Sequence, residues 1–279
     1  GQAEGPLSVE FDPLKVTVFE PRQRAILLWN GHEEILYLST DQSASQPSSI
    51  LEVIPLPSKP EVRLGSFETF ERAQRLAVEK RMWACAHGGA RAGAAPLPAN
   101  AGRIHFAQRM GAHDLAVAEV LDREGFVAFV QGYLEEKYAI AQAPIRTEFA
   151  DMIETYLDGG FRWFVFDVID LADSTQSRQP IEYRFASEEV FYPMRISTLE
   201  RGDTTVDLLV FSTTGPRNFT GLDRKEVKLK PLVQVKREEA LALDEGWKDF
   251  FPESQPDLFM DQWTVEGDIS RFTQDIRVK

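Results

Sequence analysis

The chain carries one cysteine, Cys85, among its 279 residues. A lone thiol closes no intrachain disulfide, so burial and hydrogen bonding must hold the fold, and cysteine usage does not report the compartment. Long apolar runs are missing too. The longest candidate, FRWFVFDVIDLA from Phe161, is broken by an arginine and two aspartates. It falls short of the roughly 18 to 20 residues that span a bilayer. Basic charge is scarce, with 31 Lys and Arg against 44 Asp and Glu and a net charge of −13. Such a surface repels phosphate backbones and anionic lipid heads, which argues against nucleic-acid or membrane-surface partners. Also absent are GxGxxG after a strand, GxxxxGK[ST], HExxH, GxSxG and CxxC. The common cofactor and hydrolase scaffolds are thereby disfavoured, leaving only an enzyme assembled from dispersed residues.

What is present describes a globular protein, with 43% hydrophobic and 27% charged residues, and a length that suits one large domain or two ordinary ones. The opening GQAEGPLS has no Met and reads as a processed end, and residues 1–12, small and polar, read as a flexible leader. Strands are expected at 15–19, 24–29 and 34–39, the last two joined by a hairpin through Asn30-Gly31. Residues 50–60 begin as a strand and end in proline-rich extended chain. Helical stripes mark 66–84, 124–139 and 144–160. The last has Pro144 suited to its first turn and Gly159-Gly160 to its end. Residues 87–102, rich in Gly, Ala and Pro, read as a flexible loop. FRWFVFDVIDL (161–171) reads as a central strand, followed by strands in IEYRF, YPMRIS, TVDLLVFST and PLVQV. A short helix at 237–243 and an acidic, aromatic tail with one strand near its end complete the chain.

The pattern is α+β: mixed, mainly antiparallel sheets with two or three amphipathic helices grouped mid-chain. The main domain is assigned to 13–236, with 237–279 as a C-terminal helix and acidic-aromatic extension packed on it.

Candidate chemistry concentrates in RIHFAQRMGAHDLAVAEV, residues 103–120. Apolar positions are even from Ile104 to Met110 and odd at Leu115 and Val117, so the parity switches across Gly111-Ala112, as at a bulge or break. His105 then falls on a polar face and His113 on an apolar one. A metal set of His105, His113 and Asp114, taking zinc or calcium, needs both imidazoles on one side. A bent strand with one buried and one exposed histidine is the better reading, and no cofactor is predicted. Cys85 and His87 lack a third, orienting group and read as residues of a helix end. Adjacent acids such as Glu33/Glu34 and Glu238/Glu239 read as solvated faces. The segment 244–257 lacks the ordered spacing of an EF-hand loop.

One resemblance ties these segments together. QRAILLWNGHEEILYLS followed by LEVIPLPSKPEV, then GAHDLAVAEV, the helix from Glu124, IETYLDGGFRWFVFDV and IEYRFASEEVFYPMRIS occur in that order. Over about residues 15–200 the chain resembles the bacterial family known as domain of unknown function 2330. The order of segments carries the likeness more than any one motif. The resemblance implies a bacterial, exported, extracytoplasmic protein and brings no catalytic residues with it. Two departures stand out: no cysteines near the N-terminal end, and the 87–102 loop as a local insertion. The leading expectation is a non-enzymatic binding or scaffolding domain at the cell envelope, its partner a protein or another envelope component. The alternatives are a metal-dependent enzyme or binder using His105, His113 and Asp114 with acids from elsewhere, and a self-associating structural protein.

Overall fold

The computed structural model describes residues 16–87 and 113–279. The elements run β1 (Val18–Trp29), β2 (Glu33–Ala44), β3 (Ser48–Leu56), β4 (Glu61–Leu64), α1 (Phe67–His87), β5 (Asp114–Glu119), α2 (Arg123–Tyr138), α3 (Thr147–Asp158), β6 (Trp163–Leu171), β7 (Gln176–Ser177), β8 (Ile181–Ala186) and β9 (Val190–Tyr192). After a 3-10 helix at Arg195–Leu199 come β10 (Asp203–Ser212), β11 (Lys228–Leu229), β12 (Val233–Lys236), α4 (Arg237–Leu241), β13 (Asp257–Asp268) and β14 (Ile276–Val278). A large sheet has the order β11-β13-β10-β1-β2-β8-β4, with β12 beside β13 and β7 beside β2. A small sheet has the order β3-β6-β5, and β14 pairs with β9. Among these pairings β1–β10 is parallel and the rest are antiparallel, so the fold is α+β and mainly antiparallel. Among the described residues no helix is long and apolar enough to cross a membrane.

Alternation on the strands explains the layering. On β6, Phe164, Phe166 and Val168 pack with Phe126, Val130, Ile153 and Tyr156 of α2 and α3. Val165 points the other way, into the core shared with Leu36 and Tyr183 of the large sheet. A strand covered on both faces reads as a continuous apolar run, which is why 161–171 stood out as central. Beyond the large sheet, α1 lays Phe70, Ala73, Leu76 and Ala77 against Ile26, Leu28 and Tyr37. The small sheet therefore sits between the large sheet and the α2–α3 pair. Asn30 closes the first hairpin as its sequence indicated, its side-chain oxygen accepting from His32 N at 3.0 Å and Glu33 N at 2.9 Å, with Gly31 at φ +98°.

Four expectations are corrected. Val18 and Phe19, from the strand expected at 15–19, and the segment 24–29 are not in separate strands but in one, β1. Its register against β2 shifts between Phe19 and Arg22, where β1 holds one extra residue. Pro21 has no N–H for the ladder, and a bulge lets the strand run through it. Pro144 is not in the first turn of α3, which starts at Thr147 after the N-cap residue Arg146. YPMRIS is not a strand, because β9 ends at Tyr192, Pro193 breaks the ladder, and the 3-10 helix follows. The tail contributes two strands rather than one. Of these, β13 pairs with β10 from Asp203↔Asp268 to Ser212↔Phe259 and carries β11 and β12 on its other side. Within residues 237–279, β13 is an interior strand of the large sheet. The leader at 1–12, the strand expected at 104–110, and the loop 87–102 beyond His87 lie outside the described residues.

Candidate functional site

The bulge at Pro21 decides which β1 side chains face the small sheet. In a regular strand, residues three apart point to opposite faces. Here the extra residue puts Glu20 and Gln23 on one side, and Gln23 Nε2 donates to Glu20 Oε2 at 2.7 Å. The same amide reaches Ser197 Oγ at 3.0 Å, and the Tyr192 hydroxyl donates to Gln23 Oε1. From β2, Gln42 Nε2 donates to Glu20 Oε1 at 3.2 Å and to Glu52 Oε1 of β3 at 3.1 Å. Behind Glu52 lies buried Arg178, which pairs with Glu52 and with Asp167 of β6. It also lies 3.3 Å from Gln42 Oε1.

These groups form one end of a cavity between the two sheets. The cavity encloses about 1070 Å³ free of protein atoms, counting its open mouth. Its walls are apolar elsewhere, with Val18, Ile50, Ile54, Val130, Leu134 and Phe149 among them. Glu200, Arg146, Glu20, Gln23, Gln42 and Glu52 make the polar end. Burial pushes the Glu20 carboxyl well above the usual carboxylate range, and the nearby Glu52 and Glu200 push it further. Burial also raises Glu200, to about 8, with Arg146 opposing and Glu52 adding to the rise. The Tyr192 hydroxyl is held protonated by burial and by Glu20 and Glu52. Burial works against the Arg178 charge, but Glu52 and Asp167 outweigh it and its pKa rises.

The sequence candidates are placed as follows. His113 immediately precedes β5 and its side chain is 3% exposed. Its Nδ1 meets Asp167 and lies 2.7 Å from Arg178 Nη2. Its Nε2 is 3.0 Å from the Gln179 carbonyl oxygen. A carbonyl only accepts, so Nε2 carries the proton. Both ring nitrogens are thus engaged by protein groups. Asp114 is the first residue of β5, paired with Val168, and His105 lies outside the described residues. Among the described residues no three His, Cys, Asp or Glu side chains form a cluster able to hold a metal ion. Cys85 and His87 fall at the end of α1, where the structure describes the backbone. Glu34, read as part of a solvated acidic pair, is fully buried and accepts from Phe191 N at 2.6 Å.

Sequence reasoning missed the groups that do converge. Two signals for them existed. Asp167 shares the parity of Val165 and Ile169 in an otherwise apolar strand, and Glu52 shares that of Ile50 and Ile54. A charge at a core position demands a buried partner. Glu20 and Gln23 gave no such signal, because the bulge breaks the period.

No curated protein matches the sequence. Among solved structures the chain is similar to one titled crystal structure of baculovirus P35. The identity is 7%, the match covers 96% of this chain and 98% of that one, and the TM-score is 0.45. A family model described as an uncharacterized protein conserved in bacteria (DUF2330) matches residues 12–273. That span takes in both sheets, the helix pair and every residue of the cavity, and the chain belongs to this bacterial family.

Proposed function

We propose that the protein is a non-enzymatic binding protein that holds a small, mainly apolar molecule between its two sheets. The observation that carries this reading is the cavity itself. A concave cleft with apolar walls and a few polar groups converging at one end is the usual form of a small-molecule site. Catalysis is the weaker reading because the charged groups beneath the polar end are committed to one another. His113 has both ring nitrogens engaged, and the Arg178 guanidinium is shared between Glu52 and Asp167.

The neutral probe N-phenyl-1-naphthylamine tests the reading. The expected result is saturable fluorescence enhancement with one site per chain. Ile145 lies in the loop before α3 and lines the cavity without being fully buried. Ile145→Trp should fill the space, leave the fold intact and weaken the probe tenfold or more, which is about 1.4 kcal/mol. Absence of binding, or equal binding by the variant, sinks the proposal.

Export to the cell envelope is part of the same proposal, and its support is the family resemblance. Fractionation of the source bacterium should recover the protein with periplasmic or surface markers. Recovery with cytoplasmic markers alone removes the envelope part and leaves the binding part standing.

A further inference from the structure

The geometry points to a protonated amine as the head group of the cavity's occupant, with Glu200 and Glu20 as its counter-ions and the apolar walls taking its hydrocarbon body. This rests on the binding reading above and narrows it to one chemical class. Three carboxylates reach the polar end from three separate elements: Glu20 from β1, Glu52 from β3, and Glu200 from the residue after the 3-10 helix. Their existing partners are unequal. Glu20 accepts from Gln23 and Gln42. Glu52 accepts from Gln42 and is paired with Arg178. The Glu200 carboxyl meets Arg146 and Arg201 through space, the hydrogen bond from Arg201 going to the Glu200 backbone carbonyl.

The charge balance selects the sign of the ligand. Facing Glu20 are Glu52, Glu200, Arg178, Ser197 and Tyr192. Facing Glu200 are Glu52, Arg146 and Arg201. Arg178 lies beneath the polar end and is already shared by Glu52 and Asp167. Of the cavity's own lining, three groups are acids and one, Arg146, is a base. An anionic head would find one base, Arg146, and would leave Glu20 and Glu200 protonated beside it, whereas a cation can draw a carboxylate from either acid. A small metal ion is poorly served, since the described acids do not gather into a cluster of ligands. A primary ammonium on an apolar chain matches both the excess of carboxylates and the walls around them.

Burial holds Glu20 and Glu200 toward the protonated form, and this gives the proposal a second readout. An ammonium head brings the charge that these carboxyls lack. Each carboxylic acid that ionises against it forms an ammonium–carboxylate pair and releases one proton to the buffer.

The experiment is calorimetric titration of the full chain at pH 7 with decylamine, decanol and decanoate, each below its micellar concentration. The expected result is a tenfold or larger preference for decylamine over both others. Repeating the amine titration in two buffers of different ionisation heat should show net proton release. Glu200→Gln should reduce both the preference and the protons released, with circular dichroism confirming that the variant is folded. Three results overturn the inference. Tightest binding of decanoate makes Arg146 the head-group receptor instead. Equal binding of all three shows that the polar end does not select, while the cavity reading survives. Binding of none removes the cavity reading and this inference with it.

Discussion

Arg178→Met is expected to cost about 3–5 kcal/mol of folding stability, the usual effect of stripping one partner from a buried ion pair. Arg178 is among the most deeply buried charges of the molecule, and its guanidinium lies between Glu52 and Asp167 at the junction of the two sheets. Methionine keeps the length of the stem and removes the charge. Glu52 is then left with the Gln42 amide, and two carboxylates face each other away from water. The effect should come from the orphaned acids and not from lost packing. Adding Glu52→Gln and Asp167→Asn to Arg178→Met should therefore recover most of the loss, because a neutral buried set is often as stable as the charged one. Arg123 supplies the contrast. It pairs with Asp151 and Glu154, yet all three side chains are substantially exposed. Arg123→Ala should leave the stability nearly unchanged. Urea unfolding at constant slope measures all of these. An Arg178→Met protein as stable as the parent, or a triple variant as weak as the single, would show that charge at this junction does not govern stability.

The same junction shows where sequence reasoning reaches and where it stops. Local periods are physical signals, and the elements they mark are found. The hairpin at Asn30-Gly31, the stripes of α2 and α3, and the doubly buried β6 all follow from spacing that a single segment carries. The parity argument around Gly111-Ala112 put His113 on the apolar side, and its ring is buried. What it could not supply is the partner. Asp167, Arg178 and the Gln179 carbonyl arrive from other parts of the chain, through pairing of β5 with β6 and of β7 with β2. The cavity is non-local in the same way, since Glu20, Glu52 and Glu200 meet only after β1, β3 and the 3-10 helix are in place. Pro21 hid one of them outright. It lies between the strands expected at 15–19 and 24–29, and the bulge beside it is what turns Glu20 inward. The tail was under-read because β13 mixes acids and aromatics along its length. Its Asp261 is buried, donated to by Trp263 Nε1 at 2.6 Å and paired with Arg217 at 3.0 Å. A buried strand with its own charge partners does not display an apolar period.

Glu200→Gln is expected to stabilise the protein at pH 8 and to leave it unchanged at pH 4. Burial raises the Glu200 carboxyl from 4.5 to about 8. Below about pH 4.5 both the folded and the unfolded chain hold this proton, and its contribution to stability is fully present. As pH rises from there, the unfolded chain releases the proton while the folded one retains it. Stability then falls by about 1.4 kcal/mol per pH unit for this one group, levelling off once the folded carboxyl ionises near pH 8. Glutamine keeps the shape and has nothing to ionise, so the penalty disappears. With Glu200 partly open to the cavity mouth, solvent trims the gain to about 2–3 kcal/mol at pH 8. Glu20 and Glu34 are raised by burial as well. Glu34 tilts both profiles equally and cancels in the difference, whereas Glu20 loses the upward push of Glu200 in the variant, which adds to the gain at high pH. Urea unfolding of the two proteins at pH 4, 6 and 8 gives the profile directly. A difference that does not change with pH would mean that the substitution acts through packing and not through ionisation. Glu20→Gln is the wrong variant for this purpose, because Glu20 accepts from two amides and a new amide would turn a donor toward one of them. The stability gain also bears on function. An enclosed carboxylate without a hydrogen-bond donor lowers stability at neutral pH, and such groups commonly persist where activity depends on them. If Glu200 serves an ammonium ligand, one substitution raises stability and weakens the amine together. A carboxylate with no ligand to meet would change stability alone.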